Sequence, residues 1–177
     1  MKIPTYGLSV IAGAITRLTQ GAHPYLLPLM MQLGFGLSAV QSGLMTLATA
    51  LGSIAAKPVA PTLLRRFGFR DTLMVNGIFA SAGYAVCGLF RPGWPLPVMF
   101  AIMVISGFFM SIQFTGFNTI AYDEVSQQRM GAATSFYTTF QQLMLSMGIC
   151  AGAAALQAAM VLRGHDKPQF GDFTAAF

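Results

Sequence analysis

Charge is what this chain has least of. Asp, Glu, Lys and Arg make up 8% of its 177 residues, against about a quarter in a soluble domain. Residues 18–56 contain none of the four, and neither do residues 72–90. Uncharged runs of that length are too long for the helices of a soluble core and suit the roughly 30 Å hydrocarbon layer of a bilayer. Cysteine is scarcer still. Cys87 and Cys150 both fall inside apolar runs, and without a CxxC spacing they support neither a disulfide framework nor a zinc site. No GxSxG, HExxH or P-loop pattern occurs. Asp123 and Glu124 read as a solvated helix end, and no paired acid, base or metal ligand shares one depth. The expectation is a protein that is not an enzyme and that carries no metal or cofactor. A cleavable signal peptide is not apparent either, because Met1-Lys2 leads into an apolar stretch that runs well past signal-peptide length.

What is present is apolar. Hydrophobic residues make up 55% of the chain and the mean hydropathy is +0.64. The fold class expected is all-α: a polytopic membrane bundle of about five transmembrane helices with the start of a sixth. The spans fall at about residues 7–33, 38–57, 72–90, 97–122 and 131–162 of one transmembrane domain, 1–177. Ser38 and Gln41 have the capping-box spacing that opens a helix, and Gly52 with Ala56 is a small-xxx-small pair that lets helix backbones approach. Arg91-Pro-Gly-Trp-Pro is a turn by composition, with Trp94 suited to the interfacial belt. The apolar Phe173–Phe177 stretch resumes where a sixth span would begin. No clear direct repeat is visible.

Between the second and third runs lies Lys57–Asp71, KPVAPTLLRRFGFRD, with Lys57, Arg65, Arg66 and Arg70 and a plausible turn residue, Gly68. It reads as a cytoplasmic loop, since Lys and Arg accumulate on that side. Lys2, Lys57, Arg65, Arg66, Arg70 and Arg129 then lie inside, and Arg91, Arg163 and Lys167 outside. That balance places the N-terminus in the cytoplasm of a cell whose inner membrane holds the chain. The net charge of +5 is accordingly a topology signal matched to anionic headgroups and not a nucleic-acid footprint.

Polar side chains inside the apolar runs are the candidate functional residues. A cation at the bilayer centre is disfavoured by about 2.5–3.5 kcal/mol on insertion scales, so Arg17 either snorkels to the headgroups or faces a central cavity. Gln20 and His23 follow on the same segment. His23 either relays protons or bonds a neighbouring helix. Pro24 and Pro28 free the carbonyls four residues earlier, which in lipid must be met by protein or cavity water. On the fifth segment Ser135, Thr139, Gln142 and Ser146 follow at intervals of four, three and four, one helical face, with Thr138 and Gln141 beside it. Such a stripe lines a water-filled path or knits helices together. Gln113 and Asn118 add polar groups to the fourth segment.

Several of these residues also carry a resemblance. Arg17-Leu18, Gly21, Pro24-Tyr-Leu-Leu-Pro28 and Gln32-Leu-Gly-Phe-Gly36 resemble the start of the C-terminal half of drug:proton antiporters of the major facilitator superfamily. Leu51-Gly-Ser with Lys57 and Arg65-Arg-Phe-Gly-Phe-Arg70 is similar to the loop between the second and third helices of that half. Gln113-Phe-Thr with Asn118-Thr resembles its fourth helix, and Gln141-Gln-Leu with Ser146 and Gly148 its fifth. Pro61 and Arg65 stand where the loop motif usually has a glycine and an acidic residue. The resemblance implies a proton-coupled multidrug efflux protein working by alternating access, lacking its last helix and its N-terminal half. Its partners would be the bilayer, a small-molecule substrate, protons and the missing half. It also implies a substrate or proton pathway along Arg17, Gln20, His23, Gln113, Asn118, Ser135, Thr139, Gln141, Gln142 and Ser146. Lys57, Arg65, Arg66, Gly68 and Arg70 would form a cytoplasmic gate. The other reading is a truncated or split-gene fragment without transport of its own.

Overall fold

A computed structural model describes residues 4–123 and 125–176, with side chains described from residue 13 onward except that of Asp123. The described chain is helical throughout, as its apolar runs demand in lipid, where backbone groups must be satisfied within the segment. Helix α1 is Pro4–Leu29, followed by a π-helical turn Met30–Gly34, then α2 Ala39–Gly88, α3 Leu96–Asp123, α4 Gln127–Arg163 and the short α5 Phe170–Ala176. Three of these, α2, α3 and α4, contain stretches long and apolar enough to cross a membrane. Helix α1, which carries Arg17, Gln20 and His23, is not among them.

Local chemistry explains the boundaries. Helix α1 continues through Pro24 and Pro28 and then loosens, with the Phe35 N–H reaching back five residues to the Met30 carbonyl. Prolines that remove i→i−4 bonds favour such an ending. The Pro28 carbonyl accepts a bond from the Ser42 hydroxyl at 3.4 Å. Helix α2 opens on the expected capping box, in which the Ser38 hydroxyl accepts from the Gln41 N–H and the Gln41 side chain accepts from the Ser38 N–H.

The expected loop at 57–71 is where the structure departs most from the sequence. Helix runs on through Pro58 and Pro61 and is interrupted only at Gly68, whose φ of 76° and ψ of 166° reverse the chain. A side chain there would be strained, and glycine adopts the conformation freely. Helix persists because Ala60 and Leu64 are buried, with Ala60 clustered beside Ile112 of α3, and packing outweighs the turn propensity of two prolines and a run of cations. Lys57, Arg65, Arg66 and Arg70 remain exposed on the outside of this helical corner.

Contacts along α3 show the reversal. Gly52 lies against Val104, Ala60 near Ile112 and Leu64 near Gly116, so the first arm of α2 (39–67) runs parallel to α3. In the second arm (69–88), Leu73 meets Gly116, Asn76 meets Gln113 and Gly83 meets Ser106, so this arm runs antiparallel. By the same test α1 runs parallel to α4, with Arg17 at Tyr137, Gly21 at Leu145 and Ala22 at Gly152.

The two parallel pairs share one design. A Cβ on Gly21 would overlap the Leu145 carbonyl, and one on Gly148 would overlap the Leu18 carbonyl. Likewise a Cβ on Gly52 would overlap the Val104 carbonyl, and one on Gly107 the Thr49 carbonyl. In all four cases the carbonyl belongs to the residue three positions before the partner glycine, so each crossing is reciprocal. Small residues let membrane helices approach to backbone contact. Since α1 and α3 run in opposite directions, the pairs α1·α4 and α3·α2 are related as inverted copies, a symmetry that no direct sequence repeat announces. Around the second crossing the Ser53 hydroxyl donates to the Gly107 carbonyl at 3.2 Å, and the Ser111 hydroxyl to the Ser53 carbonyl at 3.1 Å.

Candidate functional site

Arg17 sits one turn before the Gly21 crossing and is only 2% exposed. Its side chain folds back over Gly13, where a Cβ would collide with the guanidinium. Long helical side chains lean toward the N-terminus in this way, and a glycine one turn earlier makes the room. One guanidinium nitrogen, Nη2, donates to the Tyr137 hydroxyl at 2.7 Å and to Asn118 Oδ1 at 3.3 Å. Asn118 Oδ1 also accepts from Gln141 Nε2 at 2.8 Å. The guanidinium carbon lies 4.9 Å from the Tyr137 ring centre and 5.6 Å from that of Phe114, within range of a cation–π attraction.

Three helices thus converge on one buried cation. Among the described residues each of its partners is neutral, its Nε has none, and the ion pairs lie elsewhere. Arg17 therefore does not snorkel to the exposed surface; it is enclosed by α1, α3 and α4. A guanidinium held by neutral dipoles and aromatic faces keeps its charge available to an anion that arrives.

Sequence reasoning selected Arg17, Asn118 and Gln141, and the structure brings all three together. It passed over Tyr137 and Phe114. The signal was present in the spacing, since Tyr137 precedes Gln141 by four and Phe114 precedes Asn118 by four, which puts each pair on one helical face. Gln113 points elsewhere: its Oε1 accepts from Asn76 Nδ2 at 2.8 Å, and the same nitrogen donates to the Phe109 carbonyl at 2.7 Å, tying α3 to the second arm of α2.

Two small cavities lie along α1, lined by other residues than those that hold the guanidinium. One, of about 190 Å³, lies between Thr16, Thr19, Ser81, Tyr84 and Gln113, and another, of about 230 Å³, between Gln20, His23, Thr46, Thr49 and Tyr84. Tyr84 and Met110 border both. The His23 ring stands edge-on to Tyr84 at 4.7 Å between centres. Pro24 and Pro28 line the second cavity, so the side of α1 weakened by proline faces protein and open space and not lipid alone.

The stripe on α4 is placed differently. Ser135, Thr139, Gln142 and Ser146 are all exposed, on the side opposite Ala133, buried beside Ala121 and Val125, and Tyr137, Gly148 and Gly152, buried toward α1. Within the described residues the stripe knits no helices together. The cations Arg65, Arg66 and Arg70 are separate again, around Gly68 at the end of the bundle nearest Arg17, and Lys57 lies about three turns back along α2. Among the described residues no group of three or more His, Cys, Asp or Glu side chains is arranged to hold a metal.

A polytopic bundle of long apolar helices, paired by glycine crossings about a buried cation, defines a multi-pass membrane protein. The Major Facilitator Superfamily model matches residues 4–149, and the chain belongs to that family. A Haemophilus influenzae protein named "Probable transport protein HsrA" is 31% identical over 152 residues, covering 86% of this chain and 33% of the relative. "Putative multidrug resistance protein MdtD" of Serratia proteamaculans is 26% identical over 151 residues, covering 84% and 31%. The protein of that name from Pectobacterium atrosepticum is 28% identical over 148 residues, covering 82% and 31%. The chain spans about a third of the length of these relatives. No solved structure matches it.

Proposed function

We propose that this chain is the C-terminal half, or most of it, of a proton-coupled exporter of drugs or other small molecules that works by alternating access in the inner membrane. It is a carrier and does no covalent chemistry. The observation that carries the reading is the enclosed guanidinium of Arg17, held jointly by α1, α3 and α4 with no anion beside it among the described residues. Ionisable residues inside a membrane mark substrate or ion pathways, and a charge shared by three helices responds when they shift. Gln20 and His23 in the second cavity along α1 extend the pathway, and a histidine can change charge in the physiological range. The exposed stripe Ser135, Thr139, Gln142 and Ser146 faces the space that the rest of the transporter would close. The inverted pairing of α1·α4 with α3·α2 matches the repeat construction of transporters that rock about a central site. The cations Lys57, Arg65, Arg66 and Arg70 support a cytoplasmic position for the Gly68 corner, and with it for the start of α1, where that corner would serve as a gate.

The test is Arg17→Ala in the intact transporter, with export and membrane abundance measured together. Export should fall at least about tenfold, the loss of roughly 1.4 kcal/mol of transition-state or binding energy, while abundance is unchanged. Normal export at normal abundance would remove Arg17 from the pathway.

A second reading is favoured by coverage of only a third of the relatives: the polypeptide inserts but transports only when the remaining helices accompany it. Vesicles holding this chain alone should then accumulate no substrate, and co-production of the remaining helices should restore uptake.

A further inference from the structure

Beside the Gly68 corner, α2 and α3 leave an apolar cleft of about 290 Å³ between Leu63, Phe67, Val75, Phe79 and Phe109. Phe79 and Phe109 are stacked, 4.9 Å apart and 15° from parallel, and form one wall. The cleft opens on the outer face of the second arm, where Met74, Val75, Ile78 and Phe79 are all at least half exposed. On a membrane-spanning element an exposed face of that composition is turned to acyl chains.

Cations stand beside the residues that line this cleft. Arg66 places its guanidinium 5.6 Å from the centre of the Phe67 ring, and Arg70 adjoins Asp71, the one acidic residue among those that line it. Residues 57–71 hold four cations to that single acid. Among the described residues none of the four makes an ion pair. A pocket that is apolar at hydrocarbon depth and basic where the helices leave it has the two-part chemistry of a phospholipid, with anionic headgroups preferred. We propose that this cleft is a binding site for an anionic phospholipid, one acyl chain lying along Phe79 and Phe109 and the phosphate meeting Arg66 and Arg70. The site lies outside the Arg17 centre and does not depend on the chain's transporting anything.

Trp94 is the only tryptophan and lies in the turn that joins α2 to α3, at the opposite end of the bundle. It therefore serves as a control reporter. In a Trp94→Phe background, Phe79→Trp puts the sole indole into the cleft. Vesicles of phosphatidylcholine would be doped with phosphatidylglycerol or phosphatidylcholine brominated on one acyl chain, which quenches indole on contact. Half-quenching of the cleft indole should need at least threefold less brominated phosphatidylglycerol than phosphatidylcholine, while Trp94 in the unmodified protein responds equally to both. Arg66→Ala with Arg70→Ala should bring the cleft ratio to one. Equal quenching by both lipids, or a preference that survives loss of both arginines, overturns the site. Because Phe79→Trp disturbs an aromatic stack, the lipid retained by the unmodified protein after detergent extraction is weighed by mass spectrometry as well. Phosphatidylglycerol should be enriched over phosphatidylcholine and the enrichment lost in the double arginine variant; no enrichment counts against the site.

Discussion

Two charges are buried among the described residues, and they are treated in opposite ways. Arg17, 2% exposed, is surrounded by hydroxyl, amide and aromatic groups and has no anion among the described residues. Asp172, 0% exposed at the start of α5, is met from three sides. His165 Nδ1 donates to it at 2.9 Å, the Gln169 N–H donates at 2.9 Å, and Arg163 lies 3.5 Å away. Burial pushes the Asp172 carboxyl up, but the Gln169 N–H, His165 and Arg163 together hold it below the usual carboxylate value. Phe173 beside it joins the main apolar cluster around Leu26, Met30 and Met103, and Phe170 packs on Phe35 at 5.5 Å. A buried charge with its partners in place is a structural fastening, here of α5 against the end of α4. One with no counter-charge among the described residues is the kind of group that the proposed transport step could engage.

The contrast can be broken most severely from the Arg17 side. Asn118→Asp gives the guanidinium a permanent carboxylate in place of the amide that now touches it at 3.3 Å. In the intact transporter proposed above, export should fall by about tenfold or more although the bundle is no less stable, because a resident ion pair would compete with an arriving anion. Unaltered export with a thermally unchanged protein would mean that Arg17 is fastened as Asp172 is. On the Asp172 side, Asp172→Ala should lower thermal stability in detergent by about 1–3 kcal/mol, since His165 and the Gln169 N–H lose their acceptor. Export should be little affected. A loss of export without a loss of stability would reverse the two roles.

Acidity sharpens the same comparison. A carboxyl whose folded value lies below its ordinary 3.8 contributes stability that is complete above that value and disappears as the pH falls from it toward the lowered one. The α4–α5 fastening should accordingly hold from neutrality down to about pH 4 and loosen only below it, seen as faster hydrogen exchange in residues 165–176. Loosening already at pH 6 would disprove the assignment to Asp172. The smallest effect expected is that of Tyr137→Phe, which removes a 2.7 Å hydrogen bond but keeps the ring 4.9 Å from the guanidinium. Export should change by no more than about two- to fivefold.

Several features were legible before any coordinates. Long uncharged runs can only be membrane helices, Ser38 and Gln41 mark a helix start, and an arginine inside such a run demands a protein environment. The family resemblance read from Arg17, Pro24, Pro28 and Asn118 is matched by the family model over residues 4–149. The helical corner at 57–71 was not legible, because Pro58, Pro61 and four cations all argue for a loop and only burial of Ala60 and Leu64 against α3 argues for helix. Gln113 and Asn118 look equivalent in sequence. They part because five residues of helix turn them about 140° apart, one toward Asn76 and the other toward Arg17. The glycine crossings were hidden by abundance: with 19 glycines, a small-residue spacing singles out nothing until the partner carbonyl is seen.

The sequence by itself determined that this chain is a bundle of membrane-crossing helices, because burying so little charge in so much apolar surface leaves no other solvent for it. It also determined that Arg17 must be accounted for. Which groups account for it was decided only in three dimensions, where Gly21 and Gly148 bring α1 and α4 to backbone contact and set Tyr137, Asn118 and Gln141 around the cation. Those residues are 101 and more positions away in the chain, and only packing brings side chains so distant in sequence within hydrogen-bonding reach.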